Sequence, residues 1–103
     1  MNAQDKIKEL VESKKIFLFM KGEPYAPACG FSARAISLLK ANGVNIDEMG
    51  YFNVLEDEEI RSGIKTFSSW PTIPQLYVDS VFIGGSDIMM EMHEDGELAQ
   101  VLN

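Results

Sequence analysis

Cys29 is the only thiol in the chain, and the residues around it are of the types that activate one. The stretch Lys21 to Ser32 reads KGEPYAPACGFS. An apolar run, Ile16-Phe17-Leu18-Phe19-Met20, stands just before it, and a helical pattern follows. A thiol at such a strand-to-helix junction faces the first free N–H groups of the helix, which favour the anion. Lys21, where the strand ends, adds a positive charge. A lone cysteine is often an interior residue. Cys29, however, lies between Ala28 and Gly30 in a proline-rich loop and belongs to no apolar stripe, so it reads as reactive or ligating. Ser32 occupies the place of the second sulfur in a C-x-x-C pair. No resolving thiol exists within the motif, and any exchange must use an external one.

Two further stretches hold residues suited to binding. Ser68-Ser69-Trp70-Pro71-Thr72-Ile73-Pro74 breaks the periodic pattern with two prolines. It reads equally as an ordinary double-proline loop or as a strand entry with a cis Ile73–Pro74 bond, which would turn the Ile73 backbone toward a ligand. Gly84-Gly85-Ser86-Asp87 precedes a helix; its glycines allow close backbone approach, and Asp87 either accepts from an ammonium group or caps the helix. Locally, capping is the better reading. His93 is the only histidine and has no cysteine near it, so it reads as an ordinary surface or core side chain. Met89, Met90 and Met92 read as packing.

The elements that must position these groups follow from periodicity. Residues 3–14 place Ala3, Ile7, Leu10, Val11 and Lys14 on one helical face. Ile16 to Met20 is apolar without alternation, the pattern of a strand covered on both sides. Residues 22–29 predict a loop. Phe31, Ala35, Leu38 and Leu39 recur at helical spacing until Asn42-Gly43 stops the helix. Tyr51 to Leu55 reads as the next strand, completing a βαβ unit, and part of Val44 to Ile46 could belong to it. Glu56-Asp57-Glu58-Glu59 suits a solvated helix start, followed by the stripe Ile60, Ile64 and Phe67, with Arg61 and Lys65 on other faces. Gln75 to Val78 and Val81 to Ile83 flank Asp79-Ser80 as an antiparallel hairpin. Asp-Ser is a poorer turn than Asp-Gly, because Ser80 resists positive φ. Ile88 to Glu94 is helical, with Leu98, Val101 and Leu102 beyond a break at Gly96. The predicted order is α-βαβ-α-ββ-α.

Composition sets limits on function. A chain of 103 residues reads as one domain, 1–103, and its 46% hydrophobic and 24% charged residues are ordinary for a globular fold. Nine basic against sixteen acidic residues leave a net charge of -7, which argues against a nucleic-acid or anionic-membrane partner. One cysteine excludes an internal disulfide and a metal site built from this chain's thiolates alone, and fits a reducing compartment. No apolar run approaches the roughly 20 residues of a membrane span. Residues 1–15 mix Asp5, Glu9 and Glu12 with four lysines and have neither arginine nor an apolar core, unlike a targeting peptide. The expected location is therefore cytoplasmic, or the mitochondrial matrix or a plastid if a presequence has been removed.

Together, F-M-K-G at Phe19 to Gly22, C-G-F-S at Cys29 to Ser32, W-P-T-I-P-Q-L-Y at Trp70 to Tyr77 and G-G-S-D at Gly84 to Asp87 give a chain that resembles the CGFS-type monothiol glutaredoxins over nearly its whole length. The resemblance implies a thioredoxin-like α/β fold, a four-stranded mixed sheet flanked by helices. It implies glutathione lying across one face: Lys21 and Arg61 on its carboxylates, Ile73 bonding its backbone through a cis Pro74, and Gly85, Ser86 and Asp87 at the γ-glutamyl end. Cys29 would sit beside the glutathione sulfur. The family's [2Fe-2S] cluster is shared between two subunits. That suits the sulfur count, because such a centre needs four sulfur ligands and two chains with two glutathiones supply them. Two features depart from the family pattern: a 44–50 segment a few residues longer, and the Asp79-Ser80 turn in place of Asn-Gly or Asp-Gly.

The leading expectation is thus a cluster carrier or scaffold in iron–sulfur assembly and iron homeostasis, monomeric without cluster and homodimeric with it, delivering to recipient or assembly proteins. The second is a glutathione-dependent thiol–disulfide oxidoreductase acting through Cys29, with weak or absent turnover. An adaptor or iron sensor would use the same ligands.

Overall fold

The computed structural model describes residues 1–103. The strand Ile16–Met20 (β1) lies at the centre of a four-stranded mixed sheet. It pairs in parallel with Gly50–Asn53 (β4) and antiparallel with Gln75–Val78 (β5), which in turn pairs antiparallel with Val81–Gly84 (β6). The physical reason for its unbroken apolar run is that both faces are covered. Alternate side chains leave on opposite sides: Leu18 and Met20 join one core with Leu76, Val78, Leu39 and Met89, while Phe17 and Phe19 join another with Tyr77, Ile7, Ile60 and Ile64.

Ala3–Ser13 (α1) and Glu58–Ser68 (α3) cover the second of these faces. Gly30–Ala41 (α2), Ser86–Asp95 (α4) and Glu97–Leu102 (α5) cover the first. Each Leu or Ile buried completely contributes about 2 kcal/mol, so both layers are anchored by several such residues. Gly96, at φ 84°, separates α4 from α5, which is the expected break.

Several local expectations are corrected. Residues 22–29 are not all loop: Gly22–Glu23 (β2) and Ala26–Pro27 (β3) form a small antiparallel ribbon. Gly22 is required there, since its φ is 87° and a Cβ would stand 2.6 Å from both Ala26 O and Ala28 N. The strand after α2 stops at Asn53. Val54–Glu56 is a 3₁₀ turn that leaves Leu55 50% exposed, and Asn53 ends the strand by accepting from the N–H groups of Leu55 and Gly22. Val44 to Ile46 contributes nothing to the strand; Ile46 and Met49 instead plug the core under α2. Lys14 lies past the end of α1 and is exposed.

The Asp79-Ser80 turn has positive φ at both residues, 51° and 67°, the type I′ geometry that matches strand twist. Ser80 thus adopts the region it was expected to resist. The Asp79 N–H is tied to Lys15 O at 2.8 Å, and Val78 pairs with Val81 across the turn; these contacts impose the conformation.

Candidate functional site

Cys29 is the N-cap of α2, with extended backbone (φ -152°) that points its side chain back over the first turn. Its Sγ accepts from the Ser32 N–H at 3.4 Å and lies 3.4 Å from Ser32 Oγ. Ser32 is fully buried, and its hydroxyl accepts from the Lys21 N–H at 3.0 Å. The neutral thiol donates to that hydroxyl, and once the thiol ionises the hydroxyl proton can turn to the sulfur. Partial burial pushes the thiol pKa up. The Ser32 hydroxyl, the Ser32 and Phe31 N–H groups and the Lys21 charge together outweigh it, and the thiol sits below its ordinary range. Ser32 therefore does more than remove a second sulfur: it also stabilises the first as an anion.

An open cleft of about 350 Å³ is lined by Lys21 and Phe31 from the surroundings of this thiol, within the size range of small-ligand sites. Lys21, Arg61, Ile73, Pro74, Gly85, Ser86 and Asp87, all expected from the sequence, line it together. Cys29 is not itself in the lining. It borders the cleft through its neighbours Phe31 and Lys21.

The cleft has three distinct parts. Lys21, Arg61 and Lys65 bring three cations to it, none of them in a salt bridge, in a protein whose net charge is -7. The loop at 70–74 is its second part. Gln75, fully buried, donates from Nε2 to Trp70 O and Thr72 O, both at 3.1 Å, and its Oε1 accepts from Tyr77 OH at 3.2 Å. Desolvation holds the Tyr77 phenol up at about 12, so it is a donor throughout the useful pH range. The Ile73–Pro74 peptide is cis. The N–H and C=O of Ile73 make no hydrogen bond within the chain, so this half-buried backbone can pair with an extended peptide in the manner of a strand.

The third part is the start of α4. Gly85 is its N-cap, with no side-chain cap bond. The expected capping by Asp87 is absent. Asp87 reaches sideways to Arg34 of α2, which also donates from Nε to Ser86 Oγ at 2.6 Å. Gly85 packs closely, since a Cβ there would meet Pro74 O at 3.2 Å and Trp70 Nε1 at 3.4 Å.

Four participants escaped the sequence reading. Phe31, assigned to the apolar stripe of α2, is 61% exposed and lines the cleft; its place in the first turn puts it beyond the layer that Ala35, Leu38 and Leu39 bury. Lys65 stands one turn after Arg61, and that i, i+4 spacing was its signal. Gln75 could have been flagged as a polar residue opening an apolar strand. Arg34 carried no local signal. His93 is exposed, with Nδ1 3.1 Å from Asn42 Nδ2, and has no part in the cleft. Met89 is buried, as expected of packing.

A parallel-and-antiparallel sheet with a lone activated thiol at the start of a helix defines the thioredoxin-like class. A family model described as Glutaredoxin matches residues 16–83. The chain is 50% identical over 96 residues to the protein named Monothiol glutaredoxin-5, mitochondrial, of Schizosaccharomyces pombe, covering 93% of this chain and 66% of that protein. Among solved structures, that of reduced poplar apo GrxS14 aligns with a TM-score of 0.80 at 42% identity, covering 94% of this chain and 86% of that one. A buckwheat glutaredoxin–glutathione complex aligns with a TM-score of 0.82 at 25% identity, covering 97% and 86%. The chain belongs to the glutaredoxin family, among its monothiol members. It spans 63–67% of the length of the mitochondrial relatives it matches.

No group of three or more His, Cys, Asp or Glu side chains lies close enough to hold a metal ion, and no helix is long and apolar enough to cross a membrane.

Proposed function

We propose that the cleft binds glutathione and that two chains, each giving Cys29 and one bound glutathione, hold a [2Fe-2S] cluster between them for transfer to recipient or assembly proteins. The observation carrying this reading is the conjunction of three unpaired cations and an unpartnered Ile73 backbone in a single cleft of a strongly acidic protein, with a thiol of lowered pKa next to the lining residue Phe31. A tripeptide with two carboxylates and an extended backbone matches the first two, and its sulfur matches the third. The complex with glutathione known for the buckwheat relative supports the choice of ligand.

In this reading Lys21 and Arg61 hold the carboxylates, Ile73 pairs with the peptide backbone beside Pro74, and Gly85, Ser86 and Asp87 receive the γ-glutamyl end. The donor set fits a shared cluster. One chain offers one partly exposed cysteine sulfur and no cluster of further ligands, whereas four sulfurs are required. When bound, such a cluster supplies transferable iron and sulfide, because half its ligands are exchangeable small molecules. Residues 1–103 act as one glutaredoxin domain, monomeric without cluster and dimeric with it, in iron–sulfur assembly and iron homeostasis. The mitochondrial names of several relatives set an organelle matrix beside the cytoplasm as a location.

Anaerobic reconstitution with iron, sulfide and glutathione tests this. The expected product absorbs in the visible, contains iron and glutathione at one each per chain, and sediments as a dimer. A Cys29→Ser protein keeping the same chromophore would sink the reading, as would equal mass with and without cluster.

The lowered thiol pKa favours one second reading, reduction of glutathione mixed disulfides. The Cys29 thiolate attacks the glutathione sulfur and releases the other thiolate; a second glutathione thiolate then attacks the Cys29 disulfide, releasing oxidised glutathione. With no resolving thiol, turnover is expected to be slow.

A further inference from the structure

The pair between Arg34 and Asp87 is the one salt bridge in a chain with nine basic and sixteen acidic residues. Arg34 does not line the cleft, yet it grips residues that do. Its Nε donates to the nearly buried Ser86 at 2.6 Å, its Nη2 holds Oδ1 of Asp87, and its guanidinium lies 5.9 Å from the centre of the Phe31 ring. Arg34 thus joins the helix that carries Cys29 to the start of the helix that carries Asp87. The Asp87 side chain is 84% exposed; without this grip it would sample several rotamers, and a ligand would have to order it. The second carboxylate oxygen, Oδ2, has no partner.

We propose that Arg34 is a positioning residue that makes the cleft selective for a ligand ending in a free α-amino acid, by fixing Ser86 and Asp87 so that Asp87 Oδ2 meets the ligand's ammonium. This rests on the glutathione reading of the cleft and deepens it. Such an end is a zwitterion. The charge of Arg34 attracts its carboxylate and repels its ammonium, so the two effects oppose each other and orientation is the effect the test reads. A guanidinium fork suits the task, because it holds two acceptors in one rigid plane.

The test titrates the metal-free protein with S-methylglutathione, which forms no disulfide, and with its des-amino analogue, which lacks only the ammonium, following chemical shifts. The native chain should prefer the amino form about tenfold, the effect of one hydrogen bond to a charged group. Arg34→Gln should cut that preference to about threefold or less by weakening the amino form alone. Asp87→Asn should do the same, and Arg34→Gln should add nothing to it. Equal weakening of both peptides in Arg34→Gln would make the residue merely structural and overturn the proposal. So would an unchanged preference, or a larger one, which would make Arg34 a competitor for Asp87. If the native chain bound neither peptide, the glutathione reading itself would fail. An unchanged melting temperature for Arg34→Gln checks that its fold is intact.

Discussion

The helices on the two faces of the sheet begin differently. α1 and α3 start on Asn2 and Asp57, whose side-chain oxygens accept from the N–H of Asp5 and from those of Glu59 and Ile60. α2 and α4 start on Cys29 and Gly85, one offering a polarisable sulfur and the other no side chain at all. The first pair is satisfied from within. The second pair leaves its positive ends to charge that forms or arrives: the Cys29 sulfur at α2 and, in the proposed reading, the α-carboxylate of the ligand's γ-glutamyl end at α4. Among the four longer helices, a start without a hard oxygen cap thus marks where this fold works outward, and a well-capped one where it only holds itself together.

The sharpest way to break that contrast is through the turn that delivers Cys29. Gly22→Ala puts a Cβ against two backbone atoms at positive φ, and should cost about 3 kcal/mol in urea unfolding while raising the thiol pKa. Asp57→Ala should cost about 1 kcal/mol, with the alkylation rate of Cys29 and its pH profile unmoved. Arg61→Ala and Lys65→Ala should change stability by no more than about 0.5 kcal/mol. Each should nonetheless weaken S-methylglutathione several-fold, and less so in high salt; an effect on stability alone would erase the distinction between the two regions.

Ser32→Ala leaves the helix cap sulfur in place but removes its hydroxyl donor. The pH midpoint for alkylation of Cys29 should rise toward the ordinary thiol range, and an unmoved midpoint would deny Ser32 its part. The smallest effect is on stability against pH. The folded thiol pKa lies below the unfolded one, so its contribution is fully present above the unfolded value, about 8.5, and disappears as pH falls through the folded value. Cys29→Ser should flatten that slope and leave the rest of the curve alone.

Much of this arrangement was legible in the chain because local chemistry is written locally. Ile16 to Met20 could only be a strand covered on both sides, and Cys29 between it and the helical spacing of Ala35, Leu38 and Leu39 had to stand at a helix start. The misreadings arose where the boundary of a layer decided the outcome. Phe31 keeps the spacing of the α2 stripe but lies beyond the sheet that would bury it. Leu55 continues an apolar run after Asn53 has already diverted the backbone. Asp87 has the composition of a cap, yet its carboxylate is claimed by an arginine 53 positions away.

What the sequence alone determined is the type of each group: one thiol without a second, cations at Lys21, Arg61 and Lys65, a double-proline turn, and glycines ahead of a helix. Composition and periodicity suffice for these, since they depend on residues a few positions apart. Only the tertiary structure decided that the cations, the double-proline turn and the glycines share one cleft, and that Arg34 holds Asp87. The first arises where the end of β1, α3 and the 70–74 loop meet the start of α4, the second from packing α2 beside α4. Contacts between residues so far apart in the chain leave no trace in local pattern.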